Sequence, residues 1–190
     1  MKALSLWNPW AHLLASGKKQ CETRSWPMRH RGPLLIHAAK RWNSELCDVS
    51  RSQPFRAALE AHGVTLRNPT ANGKITHPSG MSFGAIIGRV DVIDCWQTHT
   101  AIVSSSAKDG CYGHKHRGFE TSDRLFITPT EHAFGDYSPG RFVFLCARPV
   151  LFERPIPYAG LQSLFDVPDE LLENNAPSGR VPGDVSVGES

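Results

Sequence analysis

The chain of 190 residues lacks the segments that define several broad classes of protein. No apolar run approaches the roughly 18 residues that a membrane helix needs, so we expect no membrane-spanning segment. The N-terminal stretch is interrupted by Asn8 and Pro9 and shows no small-residue cleavage site, so no secretory signal is expected. Neither a G-x-G-x-x-G nor a P-loop pattern occurs, which argues against a doubly wound nucleotide-binding fold.

Cysteine is too sparse and too irregular for a disulfide framework. The five cysteines are odd in number, widely spaced and include no C-x-x-C pair, which favours free thiols in a reducing cytoplasm. Cys111, His114 and His116 form a short cluster, but they lack the usual zinc spacing. No G-x-S-x-G or catalytic cysteine signature is present. We therefore expect a cytoplasmic protein with no metal and no cofactor.

Positive charge and tryptophan are concentrated in the first 42 residues. This segment holds eight Lys or Arg, one acidic residue (Glu22) and four of the five tryptophans, whereas the rest of the chain is net acidic. Cations attract phosphates and flat aromatic rings stack on bases, so the segment predicts a site for RNA, single-stranded nucleic acid or a nucleoside. In the alternative interpretation the tryptophans form core and the cations form a solvated face.

The hydrophobic pattern predicts more strand than helix. Strands are expected over 2–7, 20–26, 33–39, 83–96 and 141–147, and helices after Pro9, in two pieces over 43–63, and near 169–173. Two glycines within 83–96 indicate a bent or bulged barrel strand. Pro149, Pro155 and Pro157 restrict the segment after the last strand to edge or loop geometry.

The irregular alternation of elements predicts an α+β fold on a small, curved, mostly antiparallel sheet with flanking helices. We expect one domain over 1–173, with insertions at about 43–80 and 97–130. Residues 174–190 show no periodicity and predict a flexible tail.

The most informative stretch has the form G-x-K-x-x-E-x-R. Gly17 lets the chain leave a helix in a left-handed conformation, Glu22 and Arg24 share one face of a strand, and Lys19 can reach over them. A carboxylate between two cations is expected to stay ionised. It could accept hydrogen bonds from the amine of a base, while the cations hold a phosphate or polarise a carbonyl. The alternative is a surface ion-pair cluster that only fixes the turn.

Three segments carry a family resemblance: SLWNPWAHLLASGKKQCETRSW, HRGPLLIHAAKR and FGDYSPGRF. In this order they resemble the ASCH domain family of the PUA-like superfamily, whose hallmark is the G-x-K-x-x-E-x-R pattern. The resemblance implies a small β-barrel with flanking helices and a cleft at the motif turn. It also implies an association with RNA, DNA or modified bases.

One group of family members implies an enzymatic alternative. Small bacterial members act as N4-acetylcytidine amidohydrolases, in which the lysine matching Lys19 is catalytic and a threonine stands where this chain has Glu22. Their further catalytic glutamate matches either Glu120 or Glu131 here. Another member is described as a ribonuclease. The resemblance therefore leaves open a hydrolase that uses Lys19 and Glu22.

Aromatic residues near the motif are candidate stacking platforms. Trp26 shares the predicted strand face with Glu22 and Arg24, and Trp7 and Asn8 flank the motif on the other side. The central expectation is that the side chains of residues 19, 22, 24 and 26 converge on one solvent-accessible hollow.

Further candidates for ligand contact lie outside the motif. His37, in an apolar strand, is either a structural histidine or a neutral base, and Lys40 lies three residues later. Tyr137, Ser138 and Arg141 lie in a turn that either only reverses the chain or contacts phosphate or sugar, as the resemblance implies. The acidic C-terminal part also leaves room for a protein partner.

Overall fold

The computed structural model describes residues 1–98, 110–111, 114–115 and 126–173. The elements in chain order are β1 (Lys2–Leu6), α1 (Trp10–Ala15), β2 (Cys21–Arg24), β3 (Gly32–Ala38), α2 (Ser44–Arg51), α3 (Phe55–Glu60), β4 (Ala85–Gln97), β5 (Gly110–Cys111), β6 (His114–Lys115), β7 (Phe126–Ile127), α4 (Pro129–Ala133), β8 (Phe142–Pro157), β9 (Leu164–Asp166) and α5 (Asp169–Glu173).

One mixed sheet curls into a half-barrel. Its strands run in the order β2, β8, β4, β3, β1, β9, with β6 beside the end of β4, and a small separate sheet pairs β5 with β7. β1 and β3 are parallel, and the other pairs of the main sheet are antiparallel. The predicted α+β class with a curved, mostly antiparallel sheet and flanking helices is confirmed.

The two faces of the sheet bury different apolar sets, because side chains alternate along each strand. Leu4, Leu34 and Phe144 belong to the cluster on the inner face, which α1 covers with Leu14 and Ala15. Ala3, Leu35, Ile86, Ile156 and Phe165 form a second cluster on the outer face. Each face therefore has its own core, and a polar side chain on either face is held by well-packed strands.

The longest strand pair, β4 with β8, is bent by irregular pairing. The register shifts between Ile86 and Gly88 and again between Arg89 and Asp91. A Cβ on Gly88 would lie 2.4 Å from the Val150 carbonyl oxygen, so only glycine permits the close approach of β8. The predicted bulged barrel strand is confirmed.

β8 extends well beyond the predicted 141–147 and includes all three prolines. Beyond its pairing with β2 over residues 142–145, β8 is hydrogen-bonded only to β4 among the described strands. An edge strand tolerates proline because no neighbouring strand needs a backbone N–H from its free side. The predicted edge geometry is therefore confirmed, and the short strand boundary was wrong.

The helices follow the predicted segments with small corrections. Asn43 caps α2 by accepting the Leu46 N–H at 3.0 Å. β9 was not predicted. The Cys111–His114–His116 cluster and the predicted tail at 174–190 lie outside the residues whose side chains are described. Among the described helices, none is long and apolar enough to cross a membrane.

Candidate functional site

The turn from α1 into β2 positions the motif residues. Gly17 has a φ of 76°, and a Cβ there would lie 2.6 Å from Pro149 Cγ. Both the positive φ and the close approach of Pro149 require glycine. The Lys19 N–H donates to the Leu13 carbonyl at 3.0 Å, which closes the end of α1.

Lys19 is sealed inside the protein, with only 1% of its side chain exposed. Its Nζ donates to the Cys21 carbonyl and lies 3.6 Å from Glu131 Oε1 and 3.9 Å from Glu22 Oε2. A buried ammonium needs such partners because the loss of its hydration costs on the order of several kcal/mol. We refer to Lys19, Glu22, Glu131 and Tyr137 as the motif core.

Glu131 links α4 to the start of β2 through hydrogen bonds. Its two oxygens accept the N–H groups of Gln20 at 2.8 Å and Cys21 at 3.0 Å. The Tyr137 hydroxyl donates to the same carboxylate at 3.2 Å. Burial raises the pKa of the Tyr137 phenol, so it keeps the proton that it donates. Tyr137 is buried and supports Glu131, and its contact with a ligand stays a prediction.

β2 directs Glu22 and Arg24 towards the inner face of the half-barrel. They lie opposite Phe144 and Phe142, which belong to the inner cluster. Arg24 Nε lies 3.1 Å from Glu22 Oε1, and Arg24 Nη2 donates to the Ser5 carbonyl at 3.1 Å. Because β1 and β2 are not neighbours in the sheet, Arg24 spans the open seam of the half-barrel. The predicted shared face of Glu22 and Arg24 is confirmed.

Burial governs the protonation of Glu22. It raises the pKa of the Glu22 carboxyl above its usual range, although Lys19, Arg24 and Arg141 each act to lower it. The sequence led us to expect an ionised carboxylate because two cations flank Glu22. Burial opposes ionisation, and its effect on the pKa is larger than that of the cations. Glu22 is thus a carboxyl poised for protonation beside a lysine and two arginines.

A second arginine is held near Glu22 by the turn before β8. The Thr98 hydroxyl donates to the Ser138 carbonyl at 2.6 Å, and the Arg141 N–H donates to the Thr98 oxygen at 2.8 Å. Arg141 Nε lies 3.2 Å from Asp136 Oδ2. Hydrogen bonds from Ser138 lower the pKa of Asp136, so its carboxylate remains available to Arg141. Thr98 was not predicted as part of this arrangement.

Two arginines of the motif region, Arg24 and Arg141, are partly accessible to solvent. The side chains of Arg24 and Arg141 are 29% and 30% exposed. Their Nε–H groups lie at ion-pair distance from carboxylates, but neither has an aligned hydrogen-bond acceptor within the described ranges. These Nε atoms are buried, so an additional anion would meet the exposed part of each guanidinium group, and phosphate is an anion whose geometry a guanidinium matches.

The expected single hollow is only partly present. Lys19, Glu22 and Arg24 form a continuous chain of ion pairs, as predicted. Lys19 and Glu22 are buried, so the expectation that they face solvent is wrong. Trp26 is half-buried and packs on Phe144, with ring centroids 5.3 Å apart. Arg24, Arg141 and Trp26 are thus each only partly accessible to solvent.

A second basic and aromatic surface forms where β1 and β3 end side by side. Trp7 is 47% exposed, and the Arg41 guanidinium lies 4.3 Å over its ring. Leu6 pairs with Ala38 at the carboxyl ends of the two parallel strands, so the residues after each strand meet. We refer to Trp7, Lys40 and Arg41 as the Trp7 patch. Its ring and two cations match the pattern that the sequence predicted for nucleic-acid binding.

Asn8 is structural, although it lies beside this patch. It is fully buried, its Nδ2 donates to the Ser82 carbonyl at 2.8 Å, and its Oδ1 accepts the His12 N–H at 3.2 Å. Both ends of the amide are used within the fold, and contact between Asn8 and a ligand stays a prediction.

A pocket of about 390 Å³ lies on the outer face of the sheet, next to Lys40. It is lined by residues of β1 and β3 and by the loop after β8: Ser5, His37, Ala39, Lys40, Gly84, Tyr158, Ala159, Gly160, Leu161 and Gln162. The pocket does not include the motif core. The residues expected to share one cleft are therefore divided between two places, the motif region and this outer pocket.

His37 is a structural element of the outer pocket. Its Nε2 lies 3.1 Å from the Tyr158 carbonyl, which can only accept, so Nε2 carries the proton. Nδ1 then accepts from the Ser5 hydroxyl at 2.9 Å. Burial lowers the pKa of His37, which favours this neutral form. With both ring nitrogens used, the structural alternative for His37 is supported over the catalytic base.

Of the two glutamates that the resemblance left open, Glu131 lies beside Lys19, and Glu120 falls outside the described residues. The sequence contains one signal near Glu131, the T-x-x-E pattern that is typical of a helix start. In the structure Thr128 caps α4 by accepting the Glu131 N–H at 3.1 Å. The pattern locates the helix, but nothing in it indicates that the carboxylate turns towards β2.

The comparisons with known proteins agree on the family. The model of the ASCH domain matches residues 4–123, and the chain therefore belongs to the ASCH domain family. This family has a PUA-like fold and is generally associated with RNA. The resemblance inferred from the three sequence segments is confirmed.

Two curated relatives are Activating signal cointegrator 1 from Homo sapiens and from Mus musculus. Each is 38% identical to this chain over 92 residues, which is 48% of this chain and 14% of the relative. The aligned part thus spans about one seventh of these relatives. Among solved structures, ASCH from Zymomonas mobilis is 15% identical with a TM-score of 0.43, covering 92% of both chains. A variant of the same protein is 17% identical with a TM-score of 0.43, covering 92% of this chain and 94% of the other.

Proposed function

We propose that this protein binds single-stranded RNA, or a modified nucleoside within it, through the two accessible arginines of the motif region. The observation that carries the proposal is that Arg24 and Arg141 both act on Glu22 and both have side chains about one third exposed. Guanidinium groups can hold a phosphate, and the half-buried ring of Trp26 could contact a base.

The motif core positions Arg24. Glu22 holds Arg24 from below at 3.1 Å, and Lys19 balances the charge of Glu22 and Glu131 from inside. Arg24 is further fixed by the Ser5 carbonyl. Side chains held in this way lose little conformational entropy on binding, which increases affinity.

The Trp7 patch extends the footprint. Its exposed ring and the cations Lys40 and Arg41 lie at an edge of the same half-barrel, and Arg24 reaches β1 two residues before Trp7. A strand of RNA crossing the seam between β2 and β1 would meet phosphate-binding cations at both ends. Ser138, exposed in the turn before Arg141, is placed to contact the sugar-phosphate backbone.

The test is the binding of a short fluorescent single-stranded RNA, measured by anisotropy at several salt concentrations. Arg141→Ala should weaken binding by roughly tenfold and reduce the salt slope by about one. Arg56→Ala, on α3 and paired only with Glu60 among described residues, is the matched control and should leave binding unchanged. Binding that is absent, or equally strong in Arg141→Ala, would contradict the proposal.

A hydrolase acting on N4-acetylcytidine or on RNA is the second candidate. It is favoured by the position of Lys19 within 4 Å of two carboxylates, one of which has a raised pKa. Such a carboxyl is protonated more readily than an exposed one, and the lysine could activate a water or a carbonyl. Burial of the core counts against it, since a substrate must reach Lys19.

Incubation with N4-acetylcytidine and with RNA, followed by chromatography, separates the two candidates. Deacetylation or strand cleavage that is lost in Glu22→Gln would establish the enzyme. No turnover of either substrate, with RNA binding retained, would leave a binding protein.

A further inference from the structure

The outer pocket has the chemistry of an anion site that is separate from the motif region. Among its ten lining residues Lys40 carries the only formal charge, and no acidic residue is present. The loop from 159 to 162 forms one wall, and none of its four backbone N–H groups donates to another group of the described chain. Backbone N–H groups that are not used within the described fold can donate to an anion held by a nearby ammonium.

Lys40 is held against the pocket by a glycine. The left-handed Gly84 has a φ of 64°, and a Cβ there would lie 2.7 Å from both Cγ and Cε of Lys40. The alkyl chain of Lys40 therefore lies directly over the backbone of Gly84. The residue is exposed, and no ion pair of its ammonium with a carboxylate is seen in the described part of the chain. The cation is thus positioned without being neutralised.

The opposite wall is equally constrained. A Cβ on Gly160 would lie 2.3 Å from His37 Cε1 and 2.5 Å from Ser5 Oγ. The loop can therefore approach the Ser5–His37 pair only because residue 160 is glycine. The ring of Tyr158 is stacked on Phe165 at 6.1 Å and provides a fixed aromatic side. The pocket is preformed, and its volume is within the range of small-ligand sites.

We propose that the outer pocket binds a phosphomonoester of mononucleotide size, with the phosphate held by Lys40 and the 159–162 amides. The Ser5 hydroxyl donates to His37 and keeps lone pairs free for a ligand hydroxyl or amine. Gln162, exposed at the rim, offers both a donor and an acceptor to a base edge. The phosphate belongs either to a free nucleotide or to the phosphorylated end of an RNA strand.

The test is a titration of isotope-labelled protein with AMP, CMP, GMP and UMP, followed by amide chemical shifts. The expected result is saturable shifts at residues 158–162, with cytidine, which lacks phosphate, causing much weaker shifts. Lys40→Ala should weaken nucleotide binding by about tenfold. Lys18→Ala, an exposed lysine outside the pocket, is the control and should bind as the wild type does. Arg141→Ala, which weakens RNA binding in the proposed function, should leave nucleotide binding intact.

Oligonucleotides with a 5′-phosphate, a 3′-phosphate or neither distinguish the two sources. Tighter binding of a phosphorylated end, lost in Lys40→Ala, assigns the pocket to strand ends, whereas shifts with free nucleotides alone assign it to a small ligand. The absence of saturable shifts up to about 10 mM of every phosphorylated probe would overturn the proposal. Equal binding by Lys40→Ala and the wild type would also overturn it.

Discussion

The motif core and the outer pocket lie on opposite faces of one sheet and treat charge in opposite ways. The core surrounds a buried ammonium, Lys19, with two carboxylates and leaves no described opening to solvent. The outer pocket has one exposed lysine, Lys40, and no carboxylate. In the motif core, the charges stabilise the fold and hold Arg24 in place. In the outer pocket, the charge is left for a ligand. Mutations should therefore change stability in the core and binding at the pocket.

Removal of the buried cation should have the greatest effect on stability. Lys19→Met leaves Glu22 and Glu131 buried without their central cation, so the free energy of unfolding should fall by roughly 3–5 kcal/mol. Urea denaturation followed by tryptophan fluorescence measures the change. Lys18→Met, one residue earlier and exposed, should cost less than about 0.5 kcal/mol. A loss below about 1 kcal/mol in Lys19→Met would show that the core does not stabilise the fold.

A buried histidine, His12, makes stability depend on pH. His12 is 3% exposed, and its Nε2 has no hydrogen-bond partner in the part of the chain that the structure describes. Burial, and to a smaller extent His62, lowers the pKa of His12 from 6.5 to about 4. The unfolded chain therefore takes up a proton before the native state does. Stability is unaffected by His12 above about pH 6.5 and falls as the pH drops towards 4, by about 3 kcal/mol.

Urea midpoints between pH 7 and 4 measure this dependence. His12→Phe, which keeps a ring of similar size, should remove most of the slope. An unchanged slope in His12→Phe would assign the acid sensitivity to other groups.

The next effect concerns the link between α4 and β2. Glu131→Gln keeps the shape of the side chain and removes its charge, so the two backbone donors and Lys19 lose a charged acceptor. A loss of about 2 kcal/mol in unfolding free energy is expected. In a double-mutant cycle, the effects of Glu131→Gln and Lys19→Met should be coupled rather than additive, because the two groups are in contact. Additive effects would contradict the ion pair.

A charge change at the outer face should alter stability least. Lys40→Ala removes an exposed charge with no carboxylate partner in the described chain, so unfolding free energy should change by less than about 0.5 kcal/mol. A change comparable to that of Lys19→Met, measured by urea denaturation, would remove the distinction between the two faces.

Local pattern was enough to predict much of the fold. The glycine at position 17 and the two-residue spacing of Glu22 and Arg24 correctly predicted a turn into a strand with a shared face. The glycines of β4 correctly predicted a bulged barrel strand. These features depend on residues that are close together in the sequence, where period and turn chemistry are informative.

The burial of the motif could not be predicted in the same way. Whether Lys19 faces solvent depends on α4, which lies over one hundred residues later and brings Glu131 to within 3.6 Å. The division of the candidate residues between two faces depends on β1 and β3 being parallel neighbours, with Ser5 opposite His37. Such pairings arise from the sheet topology, which spacing within one segment does not encode.

The most direct test of the proposed function is amide shift mapping with a short single-stranded RNA. We expect the strongest perturbations at the end of β2, in the turn over 138–141 and around Trp7, and we expect them to be reduced in Arg141→Ala. Perturbations confined to α2 and α3, or none at a concentration of RNA that saturates the anisotropy signal, would contradict RNA binding at the two arginines.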